Sequence, residues 1–274
     1  MINNRIVYNK RLWIVFVFII FFLFGCASNP SRGKLDFVTF EEETYLGQEL
    51  EKESIKQLPL IRDPEITSFF ENMANKIGEN SEWKGLTYSV YIVDMPDYNH
   101  FSLPGGSIFI FRGLIELAAS ANEIALVIAH EIAHIASRDA VDRISEKYSF
   151  AFAAQSVMGS NPEIPKQIVA SLYSTGTILD YPEEAELLAD AKAVEYAWKT
   201  NYDPTGLIKV LENISLAEKN SSPLIKLLNY THPLATKRFK AVQPEIARLI
   251  DKNDLIKDLP EFNRIKKLLN NSKK

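Results

Sequence analysis

One apolar segment carries two histidines and a glutamate at a spacing that constrains both the fold and the chemistry. In residues 129–134, His130 and His134 are four residues apart. On a helix they project from one face, about 6 Å apart, close enough to bind one metal ion. Glu131 lies about 100° around the helix from His130, where it can reach a water molecule without being a ligand. Residues 124–129 are all apolar, which predicts a buried helix beneath a cleft.

Two histidines leave a catalytic zinc site incomplete, because such sites usually have three protein ligands and one water molecule. A second helix predicted to begin after Pro182 carries Glu186 and Asp190 one turn apart on one face. One carboxylate on the metal and another bonded to a ligand histidine is the expected arrangement, which predicts these roles for Glu186 and Asp190. Glu183 and Glu184 lie in the first turn, where acidic side chains favour the helix dipole, and we interpret them as structural.

Two other interpretations of the histidine pair are weaker. In the first, the histidines are structural and bond to backbone or carboxylate groups, which leaves a buried Glu131 costly and unexplained. In the second, the zinc site is structural and closed. Such sites usually have four protein ligands, often cysteines, whereas this chain has one cysteine.

The pattern of the first 25 residues indicates an export signal. A positively charged segment ending at Arg11 precedes the apolar run 12–24, which is shorter than the roughly 20 residues that a membrane-spanning helix needs. The run leads to Cys26 and is similar to a bacterial lipoprotein signal, in which this cysteine is lipidated. Because Cys26 is the only cysteine, an internal disulfide is excluded. The alternative is an uncleaved N-terminal anchor with an incidental cysteine.

These features predict a signal peptide over residues 1–25, a tether over 26–39 and one folded domain over 40–274. In either case the domain lies outside the cytoplasm and is attached to a membrane. Ala27 resembles the residue that follows the cysteine in outer-membrane lipoproteins, which favours the periplasmic face of the outer membrane in a bacterium with two membranes. The net charge of −4 argues against nucleic acid as a main partner. The oligomeric state is left open.

For the folded domain, the sequence predicts an α+β fold that is mainly helical, with a small three-stranded sheet. Helices are indicated by apolar spacing and by the Asp63-Pro64 start signal, and strands by alternating or β-branched residues. The predicted elements are helices over 40–57 and from 64, strands over 86–92, 99–103 and 107–111, and mainly helix after 113.

Four motifs together resemble the gluzincin metallopeptidases, the family that includes HtpX, BepA and the Oma-type and CAAX-prenyl proteases. They are His130-Glu131-x-x-His134, Glu186-x-x-x-Asp190, Asn99-His100-Phe101-Ser102-Leu103-Pro104-Gly105-Gly106 and Thr231-His232-Pro233. The third is similar to the family's Asn-Ala-Phe-Ala-Leu-Pro-Gly-Gly and the fourth to its Ser-His-Pro. The resemblance covers roughly residues 40–242. His100 departs from it, as does Asp139, which stands where histidine is common.

The resemblance implies a zincin-like endopeptidase with a long metal-binding helix and one zinc ion per chain. His130, His134 and Glu186 would bind the zinc ion. Glu131 would act as the general base, and Asp190 would orient a ligand imidazole, which we predict to be that of His130.

Further residues of these motifs have predicted roles beside the metal. His232 would donate to the oxyanion of the intermediate or occupy the open position of zinc in a resting state; the alternative is a surface histidine before a proline turn. His100 is predicted to lie near the cleft rim rather than to bind metal. If 99–103 is an edge strand, it could bind an extended substrate by strand addition. The residues predicted to bind substrate are Asn99, Phe101, Leu103 and Gly105.

Two functions from different classes use this site. The first is an endopeptidase that hydrolyses misfolded or misassembled cell-envelope polypeptides. The alternative is a chaperone-like assembly factor for outer-membrane proteins with little or latent protease activity. Residues 145–181 would form a lid over the cleft, pack between the two metal-site helices, or contact membrane or a membrane-protein substrate; the sequence does not choose among these.

Overall fold

The computed structural model describes residues 39–148, 181–220, 235–249 and 252–272. All of these belong to one unit, Phe37–Lys274. The predicted α+β class with mainly helical content is confirmed. The described elements are α1 (Phe40–Gln57), β1 (Leu60–Ile61), α2 (Pro64–Gly78), β2 (Ser89–Val93), β3 (His100–Leu103), β4 (Ser107–Phe111), α3 (Arg112–Leu117), α4 (Ala121–Ser137), α5 (Asp139–Tyr148), α6 (Glu183–Lys199), α7 (Gly206–Asn220), α8 (Ala235–Ala247) and α9 (Phe262–Asn271).

The sheet has four strands within the described residues, so the prediction of three strands was wrong. Their order is β1-β2-β4-β3, with β2 and β4 parallel and the other two pairs antiparallel. The additional strand is β1, whose two residues are too few to produce an alternating pattern in the sequence. In this order, β3 lies at one edge of the sheet that the described residues form.

Both faces of the sheet are covered. On β4, Ile108 and Ile110 contact the larger apolar cluster, which includes residues of α2, α4 and α6. Phe109 and Phe111 point to the opposite face and join a second cluster with residues of α1 and α5. Burial on both faces explains why β4 is almost uninterruptedly apolar in sequence.

The helix α4 lies at the centre of the domain. Every residue from Ala121 to Ile135 is buried. The helix packs against α2, α6, α7 and β3. A helix that is apolar on all sides has to be enclosed in this way. Its polar residues His130, Glu131 and His134 are therefore inside the protein, where each needs a polar partner.

Some of the predictions fall on parts of the chain that the structure does not describe. Cys26, the proposed signal peptide and His232 lie outside the described residues, as do residues 149–180 of the segment between the two metal-site helices. Among the described helices, none is long and apolar enough to span a membrane.

Candidate metal centre

Three side chains that the sequence predicts as metal ligands meet where α4 packs against α6. His130 and His134 come from α4 and Glu186 from the first turn of α6. One ligand atom from each lies within 4.8 Å of the others. All three residues are at most 1% exposed. In the part of the chain described here, they form the cluster that could hold a metal ion.

The spacing of these atoms fits a tetrahedral metal ion. The two Nε2 atoms of His130 and His134 are 3.0 Å apart. The Glu186 carboxylate oxygens lie 3.6 Å from His130 Nε2 and 3.5 Å from His134 Nε2. Ligands about 2.0–2.1 Å from a tetrahedral zinc ion stand about 3.4 Å from one another. Two imidazoles and one carboxylate are also a donor set that occurs at catalytic zinc sites.

A carboxylate binds the outer nitrogen of each imidazole. Asp190 Oδ1 lies 2.9 Å from His130 Nδ1. Asp139 Oδ2 lies 2.7 Å from His134 Nδ1. A carboxylate at Nδ1 keeps a proton on that atom of each imidazole, so that Nε2 faces the shared centre in the orientation that metal-binding histidines need. On the ring face, Tyr181 stacks on His134 with 4.2 Å between ring centroids.

The backbone at the end of α4 brings Asp139 to His134. Arg138 adopts a left-handed conformation with φ 62°, and its N–H donates to the carbonyl of His134. Its guanidinium lies 2.6 Å from the buried carboxylate of Glu43 on α1. This ion pair holds the turn in which α4 ends and α5 begins, so α1 helps to position the carboxylate that binds His134.

Arg238 on α8 adds a buried positive charge to the site. Its Nε and Nη2 atoms each donate to an Asp190 oxygen at 2.7 Å. Its Nη1 lies 3.1 Å from Glu186 Oε2. The residue is only 5% exposed. The positive charge of Arg238 compensates the two buried carboxylates. Its two hydrogen bonds to Asp190 also orient that carboxylate toward His130.

Burial and these charges shift the ionisation of the histidines in opposite directions. Burial, reinforced by the positive charge of Arg238, lowers the pKa of His130 to about 3. The imidazole is therefore neutral, and the lone pair of its Nε2 atom is available to a metal ion. Burial also opposes charge on His134, but hydrogen bonds to Asp139 and Glu186 outweigh it and raise the pKa of His134 to about 10. Binding of a metal ion at His134 therefore requires a proton to leave.

Glu131 contacts β3 through its side chain and its backbone. It is fully buried on α4, beside His130. Its Oε1 lies 2.5 Å from Nδ1 of His100, and its backbone carbonyl lies 3.4 Å from the Ser102 hydroxyl. Two residues of β3 thus bond to the residue predicted to be the general base.

The residues predicted to bind substrate lie in β3 and the following turn. Phe101 and Leu103 are core side chains, and Phe101 stacks on Phe109 with 4.7 Å between centroids. Asn99 is buried and accepts from the His100 N–H. Gly105, with φ +83°, lies in the turn against α1. Any contact that Phe101 or Leu103 makes with a substrate would therefore come from the backbone and not from the side chain.

Sequence patterns missed Arg238, the pairing of Asp139 with His134 and the contact of His100 with Glu131. One signal was available for Arg238, since two buried carboxylates one turn apart, Glu186 and Asp190, require a cation. Nothing in the local pattern says which of the many lysines and arginines supplies it.

Comparison with known proteins is consistent with this site. Residues 60–246, more than half of the chain, match "Peptidase family M48". The chain is 23% identical to the mitochondrial metalloendopeptidase OMA1 of Schizosaccharomyces pombe, over 78% of this chain and 64% of that protein. It is 23% identical to the beta-barrel assembly-enhancing protease of Yersinia pestis, over 73% of this chain and 43% of that protein. The matches thus span less than two thirds of these relatives. They confirm the predicted resemblance, and the chain belongs to peptidase family M48.

Proposed function

We propose that this protein is a zinc-dependent endopeptidase. The observation that carries the proposal is the buried cluster of His130, His134 and Glu186, with the carboxylate of Glu131 on the adjacent position of the same helix. Membership of the family implies a metal ion, and the donor set suits zinc. The proposed ligands are these two histidines and Glu186, with one ion per chain.

The chemistry divides between the ion and the chain. Zinc bound in such a site polarises the scissile carbonyl and makes a water molecule more acidic. Glu131 takes a proton from the attacking water and delivers it to the leaving amine nitrogen. Asp190 and Asp139 hold the imidazoles of His130 and His134 in the ligand tautomer. The two roles predicted for His232 stay predictions.

We propose that an extended substrate adds to β3. The strand is at an edge of the described sheet and runs beside α4, which carries Glu131. Backbone groups of Asn99–Leu103 would bind the substrate through main-chain hydrogen bonds, since the side chains of Phe101 and Leu103 are in the core.

The proposed substrates are misfolded or misassembled polypeptides of the cell envelope. Support comes from the predicted export signal and from the similarity to a beta-barrel assembly-enhancing protease. The comparisons do not favour the chaperone-like alternative, because the relatives carry the names of peptidases.

Metal analysis with matched glutamate variants tests the function. The purified full-length protein is expected to bind one zinc ion and to cleave casein. Glu186→Gln should bind zinc at least about 100-fold more weakly and lose cleavage in proportion, because even partners that only orient ligands are worth about 10–100-fold in affinity. Glu184→Gln, an exposed residue on the same first turn, should behave as wild type. A folded wild-type protein that binds no metal would disprove the proposal.

We also propose that residues 1–25 are a signal peptide, that residues 26–39 tether the domain, and that a lipid on Cys26 anchors it to a bacterial membrane. The support is the charged segment and apolar run before the only cysteine of the chain. In a bacterial host, labelled palmitate should be incorporated into the wild-type protein and not into Cys26→Ser, with equal expression checked by immunoblot. Equal labelling of both proteins would rule out this lipidation site.

A further inference from the structure

His100 makes a contact that the zinc-ligand arrangement does not require. Its side chain is 6% exposed, and its Nδ1 lies 2.5 Å from Oε1 of Glu131. Its ring stands perpendicular to that of His130, with 5.8 Å between the centroids. Among the residues that the structure describes, the metal-binding cluster is formed by His130, His134 and Glu186 and leaves His100 out. His100 therefore contacts the proposed general base, Glu131, and is not one of the proposed metal ligands.

The contact bears on how the carboxylate of Glu131 is oriented. The terminal torsion of a glutamate side chain is broad, so sterics alone fix the carboxylate plane poorly. A carboxylate can only accept, which places the proton of the shared bond on Nδ1 of His100. A charge-assisted bond of this kind is among the stronger ones in proteins, and here it forms at two buried residues. It therefore fixes the rotation of the carboxylate about its last bond.

We propose that His100 is a positioning residue for the general base: by binding Oε1 of Glu131, it orients the carboxylate that takes the proton from water. The inference rests on the proposed endopeptidase function. A base acts efficiently only within hydrogen-bond reach of the proton that it removes, so an oriented carboxylate transfers the water proton faster than a rotating one.

The position of His100 on β3 adds a connection to the substrate. The strand pairs with β4, with His100 opposite Ile110. Its backbone is therefore held by the sheet while its side chain is held by Glu131 on α4. The strand proposed to align the scissile peptide and the group proposed to deprotonate the water are thus joined by a direct side-chain contact.

Three substitutions at His100 test the role of its Nδ1 atom. The amide nitrogen of asparagine lies close to the place of Nδ1, whereas that of glutamine extends to the place of Nε2, and leucine offers no donor. We expect kcat of His100→Leu and His100→Gln to fall at least about ten-fold, as a part of the roughly 10²–10⁴-fold that a general base contributes. We expect His100→Asn to keep most of the wild-type kcat. KM and zinc content should be unchanged in all three variants.

Thermal unfolding of the metal-free protein provides a readout that does not depend on activity. If the contact exists, the loss of Tm in the double variant His100→Leu with Glu131→Met should be smaller than the sum of the single losses, by about 2 °C or more. Additive losses would overturn the proposal, as would wild-type or higher kcat in His100→Leu. Absence of cleavage by zinc-loaded wild type would instead disprove the endopeptidase function, and the positioning role with it.

Discussion

Glu131→Gln is expected to reduce kcat by at least about 10²–10⁴-fold, the contribution of a general base, while leaving zinc content and folding unchanged. Glutamine has the shape of glutamate and can still accept from Nδ1 of His100. It cannot take a proton from water. Because glutamine keeps the volume of Glu131 and an acceptor for His100, the variant should remain folded, and any change in Tm reports the charge lost from that bond. Casein cleavage, metal analysis and thermal unfolding of the same preparation measure the three quantities.

Glu123→Gln is the matched control for this prediction. Glu123 lies on the same helix and is 1% exposed, but its carboxylate accepts from the Ala119 N–H and from Asn213, away from the metal centre. Its kcat should equal that of the wild type even if its Tm changes. More than about a tenth of the wild-type kcat in Glu131→Gln would rule out the base role. A chaperone-like protein would keep its function in this variant, so the same variant separates the two functional classes.

Local signals in the sequence predict the elements that present the site. Apolar spacing and β-branched residues gave the predicted bounds Phe40–Gln57 and Ser107–Phe111, which are those of α1 and β4. The histidine spacing on α4 depends only on helix geometry, and so does the one-turn separation of Glu186 and Asp190. Each of these features is set by residues within a few positions of each other.

Contacts between distant segments could not be predicted in this way. His100 is 31 residues before Glu131, and Arg238 is 48 residues after Asp190. No periodicity links such positions, because the packing of β3 and α8 against the metal-site helices brings them together. Asp139 is only five residues after His134, but its side chain reaches the imidazole through the left-handed turn at Arg138, which the sequence does not signal with a glycine.

Arg238→Met is expected to destabilise the protein by about 3–5 kcal/mol, which corresponds to a loss in Tm of roughly 6–20 °C for a domain of this size. Arg238 is paired with both oxygens of Asp190 and with Glu186, and all three residues are buried. Removing the guanidinium leaves two carboxylates without their cation in the interior. Asp190 also loses the two hydrogen bonds that orient it toward His130, so zinc affinity should fall about 10–100-fold. Thermal unfolding and zinc titration measure the two effects.

Two further arginine variants separate charge from geometry. Arg238→Lys keeps the positive charge but replaces the planar fork with a single ammonium, so its Tm should lie between those of Arg238→Met and the wild type. Arg248→Met removes an arginine that is 73% exposed and pairs with Glu245 on the surface, where such pairs are worth about 0–1 kcal/mol. Its Tm should stay within about 3 °C of the wild type. A Tm of Arg238→Met that matches that of Arg248→Met would show that the buried carboxylates do not depend on this cation.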